Sequence, residues 1–234
     1  MATIAIHQPN YLPWLGYFYK IANSDVFVFL DDVQFSKNSW INRNRFLLNG
    51  EEKMFTIPLK KDSDYLNIDQ RQISANFDKT KVKTLRQLRD SYKNAPFYVD
   101  AYELFESCIL YETENLFDFI LHSIKQVMKH LKIETPIYVS SHIDFDHDLA
   151  GQDKVLGLCK KLDADIYINS IGGKDLYGKS DFCSHNIDLN FLNPKLPHYK
   201  QYELPFISKL SILDELMFMP VSQITDRLVK YQLE

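Results

Sequence analysis

Two apolar runs near the start of the chain, Thr3-Ile4-Ala5-Ile6 and Val26-Phe27-Val28-Phe29-Leu30, bracket a loop holding two prolines and a helical segment, Tyr17-Phe18-Tyr19-Lys20-Ile21. Each run has the length of a buried strand. Strand, loop, short helix and strand within about 30 residues is the pattern of a right-handed βαβ unit, whose ligand lies beyond the carboxyl ends of the strands. Two polar clusters fall at such ends: His7, Gln8 and Asn10 after the first run, and Asp31, Asp32 and Gln34 after the second.

Further along, Arg45 to Leu48 and Lys53 to Pro58 flank Asn49-Gly50, a hairpin signal. From Asp78 the period becomes helical, with Val82, Leu85 and Leu88 as the apolar stripe, until Asn94-Ala95-Pro96 breaks it. Two more helices, Tyr98 to Leu110 and Leu116 to Leu131, complete a helical block at about 78–132 inserted after the first strands. Thr135 to Ser141 reads as a strand, Gly151 to Leu162 as a helix and Asp165 to Ser170 as a strand, a second βαβ unit. A glycine-rich loop follows at Gly172-Gly173-Lys174, then a strand at Ile187 to Leu192, the segment Leu204 to Ser208, and a closing helical region from Ser211 to Gln232 broken at Pro220. Ser211 with Asp214 and Glu215 reads as a cap with an acidic first turn, where the helix dipole favours negative charge. The expected fold is α/β, a mainly parallel, Rossmann-like sheet with an inserted helical block, all within one domain spanning 1–234.

A net charge of −4 argues against nucleic acid as a partner, because duplex binding needs a broad basic surface. No run approaches the length of a membrane span, and no Lys or Arg precedes Lys20, so no signal peptide, no membrane insertion and a cytoplasmic location are expected. Cys108, Cys159 and Cys183 are odd in number and widely spaced, which suggests neither a disulfide framework nor a zinc ribbon. Aromatic residues make up 14% of the chain, and Tyr11, Trp14, Tyr17 and Tyr19 crowd one loop, as pockets for flat or sugar-like ligands require.

Each polar cluster carries two readings. His7 is either a base that takes a proton from an attacking amine or hydroxyl, with a rate that falls below the ordinary imidazole pKa, or a structural histidine bonded to a loop carbonyl. Adjacent strand residues point oppositely, so one of Asp31 and Asp32 is expected to reach the pocket, with Asp32 as the catalytic candidate beside His7. Asn42, Arg43 and Asn44 either clamp a diphosphate or form a charged hairpin edge. Ser170, Gly172, Gly173 and Tyr177 either line a phosphate-binding strand exit or simply make a tight one; the spacing matches neither the Walker nor the GxGxxG pattern. His142-x-Asp144-x-Asp146-His147-Asp148 looks metal-like but reads better as a polar connection, and no metal is expected. Cys183 beside His185 is read as an ordinary thiol rather than a nucleophile.

The runs IHQPNYLPWLGYFYKI, DVFVFLDDVQF, WINRNRF and SIGGKDLY resemble the WbqC-like family of bacterial proteins, whose members are associated with gene clusters for O-antigen and other surface polysaccharides. The first run also resembles in layout the strand-loop-helix of nucleotidylyltransferases with a His-x-Gly-His signature, although Trp14 and Tyr17 stand where the two histidines belong. The family resemblance implies the polysaccharide context but no reaction; with the aromatic loop, Arg43 for a diphosphate and His7 as base, the expected function is an enzyme acting on a nucleotide-linked amino sugar by N-acyl or aminoacyl transfer to the sugar amine. Alternatives are an ATP-dependent nucleotidylyltransferase or acyl-adenylate ligase, and a non-catalytic nucleotide-sugar-binding subunit. His7 and Asp32 are the expected catalytic pair. Gln8, Asn10, Tyr11, Trp14, Gln34, Asn42, Arg43, Asn44, Ser170, Gly172, Gly173 and Tyr177 are the expected substrate contacts. No tightly bound cofactor is expected; an acyl donor or Mg-ATP would be the co-substrate.

Overall fold

The computed structural model describes residues 1–194, 196–202 and 205–228. Strands β1 (Thr3–His7), β2 (Val26–Phe29), β5 (Ile137–Val139), β6 (Ile166–Ser170) and β7 (Asp188–Leu192) form one parallel sheet in the order β5-β2-β1-β6-β7. Helix α1 (Leu15–Ala22) joins β1 to β2, as the two opening runs require.

β5 and β6, expected to be the strands of a second βαβ unit, are not neighbours. The connection through α5 (Gly151–Lys161) carries the chain across β2 and β1 to the far side of the sheet. That reversal leaves a crevice between the carboxyl ends of β1 and β6, the switch point at which parallel α/β sheets hold ligands. Here β6 adds a short α6 (Lys179–Cys183) and β7.

The sheet divides the apolar interior by the alternation of strand side chains. Ala5, Phe27, Phe29 and Ile168 face a large core shared with α1 and the inserted helices α2 (Phe77–Tyr92), α3 (Tyr98–Ile109) and α4 (Leu116–His130). Ile4, Ile6, Val28 and Tyr167 face a smaller one under α5 and α6. His7 and Ser170 continue the parity of Ala5 and Ile168, so both belong to the α1 side.

β3 (Arg43–Leu48) and β4 (Glu51–Thr56) pair antiparallel around Asn49-Gly50, whose φ angles of 54° and 80° are those of a type I′ turn. In α2 the buried face is Phe77, Thr84, Leu88 and Tyr92 rather than the expected stripe, and Val82 is 70% exposed. At 3.6 residues per turn Val82 lies about 120° around the helix from Leu88, so a spacing of three drifts off the buried face. After β7, α7 (Ile212–Phe218) and α8 (Val221–Leu228) are separated at Pro220. The expected helix end at Gln232 and the start of the segment at Leu204 lie outside the described residues. Residues 205–208 form no strand. Among the described residues no helix is long and apolar enough to cross a membrane.

Candidate functional site

At the carboxyl ends of β1, β6 and β7 lies a cavity of about 490 Å³, a size suited to a small-molecule ligand. β1 and the loop after it contribute His7, Asn10 and Trp14, and α1 contributes Tyr17. Ser170 and Gly172 come from the end of β6. Trp40, Tyr199, Phe206 and Lys209 close the outer wall, and Glu215 reaches in from α7.

His7 Nδ1 lies 2.9 Å from the Gln8 carbonyl, which also accepts the Tyr17 hydroxyl at 2.9 Å. A carbonyl only accepts, so Nδ1 carries the proton and Nε2 is left as a lone-pair acceptor. The ring meets the Tyr17 ring edge-on at 5.1 Å. Burial, then the neighbouring Lys20 ammonium, lower the imidazole to about 3 against the pull of the Gln8 carbonyl. His7 is therefore neutral across the physiological range. The expected rate limb near the ordinary imidazole pKa moves far below it, because a group boxed by apolar rings and a cation resists protonation.

Lys20 is 1% exposed, inside the otherwise apolar helix α1. Its Nζ lies 3.2 Å from Ser170 Oγ and sits 5.7 Å from the Tyr17 ring and 5.9 Å from that of Phe27. No carboxylate pairs with it among the described residues, and burial lowers the amine to about 7.

The start of α1 is occupied by the protein itself. The Leu15 N–H lies close enough to the Glu215 carboxyl group to lower its pKa, and the Trp14 indole folds over Gly16, where a Cβ would come within 2.3 Å of the ring. Among the described residues Glu215 Oε2 has no hydrogen-bond partner. Burial, then the adjacent Asp214 charge, raise Glu215 to about 8, only partly offset by Arg227 and the Leu15 N–H. At neutral pH it is a protonated acid facing the cavity. Asp214 accepts from Tyr92 at 2.6 Å, from Gln201 Nε2 at 2.8 Å and from Tyr199. As expected, Ser211 caps α7 through the Leu213 N–H with both acids in the first turn, and both are buried.

Of the expected site residues, His7, Asn10, Trp14, Ser170 and Gly172 meet in the cavity, and Gln8 joins them through its carbonyl. The others lie elsewhere for identifiable reasons. Tyr11 is 1% exposed and packs on Phe55 and Phe119. Asn42 Nδ2 donates to the Ile57 carbonyl, and Asn44 Nδ2 to those of Tyr11 and Leu12, so both amides stitch loops to the hairpin. Arg43 donates to the Ser39 carbonyl and lies 6.0 Å from the Trp40 ring, outside the cavity lining. Gln34 bridges to Asn67 and donates to the Asp64 carbonyl. Gly173 is buried under Asn169, where a Cβ would meet the amide at 2.6 Å, and Tyr177 packs on Tyr167 and Phe182 in the smaller core.

Asp32 belongs to a second cluster, at the ends of β2 and β5. Its carboxylate takes Lys154 Nζ at 2.7 Å, His147 Nδ1 at 2.9 Å and the Ser140 hydroxyl. Burial pushes its pKa up, but the bonds from Lys154, Ser140 and His147 outweigh that and hold it below the usual range. Asp31 accepts from Ser140 Oγ at 2.9 Å and from the N–H and hydroxyl of Ser141 at 3.0 and 2.7 Å. His147 of the metal-like run is thereby used, and Asp144 faces Lys161. Among the described residues no group of three or more His, Cys, Asp or Glu is placed to hold a metal.

Fold and site together define an α/β protein with a ligand cavity at the switch point of a parallel sheet. The model of the WbqC-like protein family matches residues 8–226, and the chain belongs to that family. It is 26% identical over 218 residues, 92% of each chain, to a protein of Mycobacterium tuberculosis named uncharacterized protein Rv1507c. No solved structure matches the chain.

Proposed function

We propose that this chain is a cytoplasmic enzyme of surface-polysaccharide biosynthesis that transfers an acyl or aminoacyl group to the amine of a nucleotide-linked amino sugar bound in the β1/β6 cavity. The observation that carries this reading is the pairing in one cavity of a proton acceptor, His7 Nε2, with a protonated donor, Glu215. Groups whose pKa values are pushed apart in a shared site suit a reaction in which one atom loses a proton while another gains one. In amide formation the attacking amine is the first and the departing group of the acyl donor the second. His7 Nε2 accepts a hydrogen bond from the amine and directs its lone pair at the acyl carbon. Glu215 protonates the leaving group. Trp14, Trp40 and Tyr199 supply flat walls for a sugar or base, and Lys209, 5.7 Å from the Trp14 ring, is a cation at the wall for the diphosphate.

Nucleotidylyl transfer is less well supported. In that chemistry the helix start after the first strand holds a phosphate through free N–H groups. At the start of α1 a carboxyl group and an indole occupy that place.

Thermal stabilisation by nucleoside-diphosphate amino sugars, compared with their N-acetylated forms, tests the acceptor. The free amines should stabilise more. His7→Ala should then lower turnover by about 10²-fold, the low end for lost proton transfer, while that stabilisation is retained. A folded His7→Ala protein with full turnover would sink the assignment. Stabilisation without turnover by any acyl donor would favour a non-catalytic subunit, and pyrophosphate release from Mg-ATP the nucleotidylyl or adenylate alternative.

A further inference from the structure

Ser170 lines the cavity and Lys20 is buried behind it, the two arriving from distant parts of the chain. β1 and β6 pair with Ala5 opposite Ile168, and continuing that register two residues sets His7 beside Ser170 at the strand ends. Ser170 lines the cavity. Lys20 comes up beneath it from the last turn of α1, with its Nζ 3.2 Å from Ser170 Oγ. Its other neighbours are the rings of Tyr17 and Phe27 and the imidazole of His7. A lysine needed only to hold the fold would gain by reaching a carboxylate or water. This one is buried among rings and directed at a hydroxyl.

Building on the acyl-transfer reading of this cavity, we infer that Ser170 is a nucleophile and Lys20 its base, so that the acyl group passes from a thioester or other activated ester to Ser170 and then to the sugar amine. In the first step Ser170 Oγ attacks the acyl carbon. The O–C bond forms, the bond to the thiol or alcohol breaks, the serine proton passes to Lys20 Nζ, and Glu215 gives its proton to the leaving group. In the second step the sugar amine attacks the ester. The N–C bond forms, the Oγ–C bond breaks, Lys20 returns its proton to Ser170 Oγ, and the amine proton, oriented by His7 Nε2, restores Glu215. No oxidant or external energy source is needed beyond the activated acyl donor. The chemistry requires Lys20 to be neutral for part of the time at neutral pH, and burial to about 7 provides that. Lysine fills the same base role for serine in known hydrolytic dyads.

The test uses the full chain and p-nitrophenyl acetate as the acyl donor. We expect a stoichiometric burst of nitrophenolate and one acetyl group, mapped by mass spectrometry to Ser170. Ser170→Ala should abolish the burst. Lys20→Met, close in volume, and Lys20→Arg, which cannot be deprotonated, should each slow acylation by about 100-fold or more. Stabilisation by nucleotide-linked amino sugars should persist in all three variants, which verifies their folding. Acylation of the natural protein should accelerate as the pH rises through about 7 and lose that rise in Lys20→Met. Absence of acetyl-Ser170, acetyl groups on surface amines alone, or Lys20 variants that acylate at the natural rate would each overturn the dyad. Turnover with a nucleotide-linked amino sugar but no acetyl-Ser170 would overturn the dyad and leave direct transfer standing. Acetyl-Ser170 without any nucleotide-sugar binding would support the dyad and sink the acceptor instead.

Discussion

Two polar clusters sit at carboxyl ends of the same parallel sheet, and they differ in what they leave unpaired. At the β2/β5 ends, Asp31 and Asp32 are filled by Ser140, Ser141, His147 and Lys154, and Lys154 also reaches the carbonyl of His147. At the β1/β6 ends, among the described residues, Glu215 Oε2 has no hydrogen-bond partner and Lys20 no counter-ion, and His7 bonds the Gln8 carbonyl through Nδ1, which leaves the Nε2 lone pair on the far side of the ring. Buried polar groups are normally satisfied, because an unpaired one costs roughly 1–3 kcal/mol. Position beyond a strand therefore does not separate a working site from a structural knot. Between these two clusters, unpaired groups gathered at a cavity make the difference.

The sharpest way to break this contrast is Asp32→Ala. If the β2/β5 cluster is structural, removing the carboxylate strands Lys154, which is 4% exposed, and should cost about 3 kcal/mol, a fall in melting temperature of roughly 6–12 °C. Turnover per folded molecule should stay near that of the natural protein. A variant that melts normally but is inactive would return Asp32 to the catalytic role expected from its strand-end position.

Glu215→Gln probes the other cluster through pH. A folded-state value near 8, against 4.5 ordinarily, means that the folded protein holds this proton more tightly than the unfolded chain. Its stabilising contribution is complete below about pH 4.5, declines by at most about 1.4 kcal/mol per pH unit, and is gone above about pH 8. Glutamine has no such proton. The stability gap between the natural protein and Glu215→Gln should therefore swing in favour of the variant as the pH rises from about 4.5 to 8, which denaturant titrations at several pH values would measure. The variant should also be slower and lose the fall in rate above about pH 8. Parallel stability curves for the two proteins would show that Glu215 ionises normally.

The smallest expected effect is that of Arg43→Lys. With its guanidinium on the Ser39 carbonyl and near the Trp40 ring, the change should alter nucleotide-sugar affinity by less than about 0.5 kcal/mol in calorimetry. A loss of 1–3 kcal/mol would mean that the arginine turns to clamp a diphosphate, and would extend the working site to the hairpin.

The residues that announced their structure did so through local rules. Ile4 to Ile6 and Val26 to Phe29 are strands because they are short apolar runs, and Asn49-Gly50 turns because both residues adopt positive φ. That His7 and Ser170 would line a cavity was legible because a strand end is visible in one dimension, and Trp14 lies on the loop that leaves the first of those ends. Lys20 and Glu215 were not legible, since each lies in an apolar helical run and acquires its chemistry from elements distant in sequence. Lys20 acquires it from Ser170, and Glu215 from Leu15 and Arg227. A lone charge amid Tyr17, Phe18, Tyr19 and Ile21 was the available signal. The crossing of β5 to β6 was hidden for the same reason, because connection length does not say which edge the next strand joins.

The tie between α7 and the first loop bears on the order of events during synthesis. Ser211 donates its hydroxyl to the Leu12 carbonyl, Ile212 its N–H to that of Pro13, and the Glu215 carboxyl group feels the N–H of Leu15. A chain still emerging from the ribosome has β1 and α1 long before α7 exists, and at that stage the N-terminal amides of α1 lack their carboxyl partner. Closures of such long sequence separation form late in folding. The nascent protein would thus hold Trp14 and Tyr17 before the Glu215 side chain that shares their cavity, and the cavity wall would be complete only once α7 had been made.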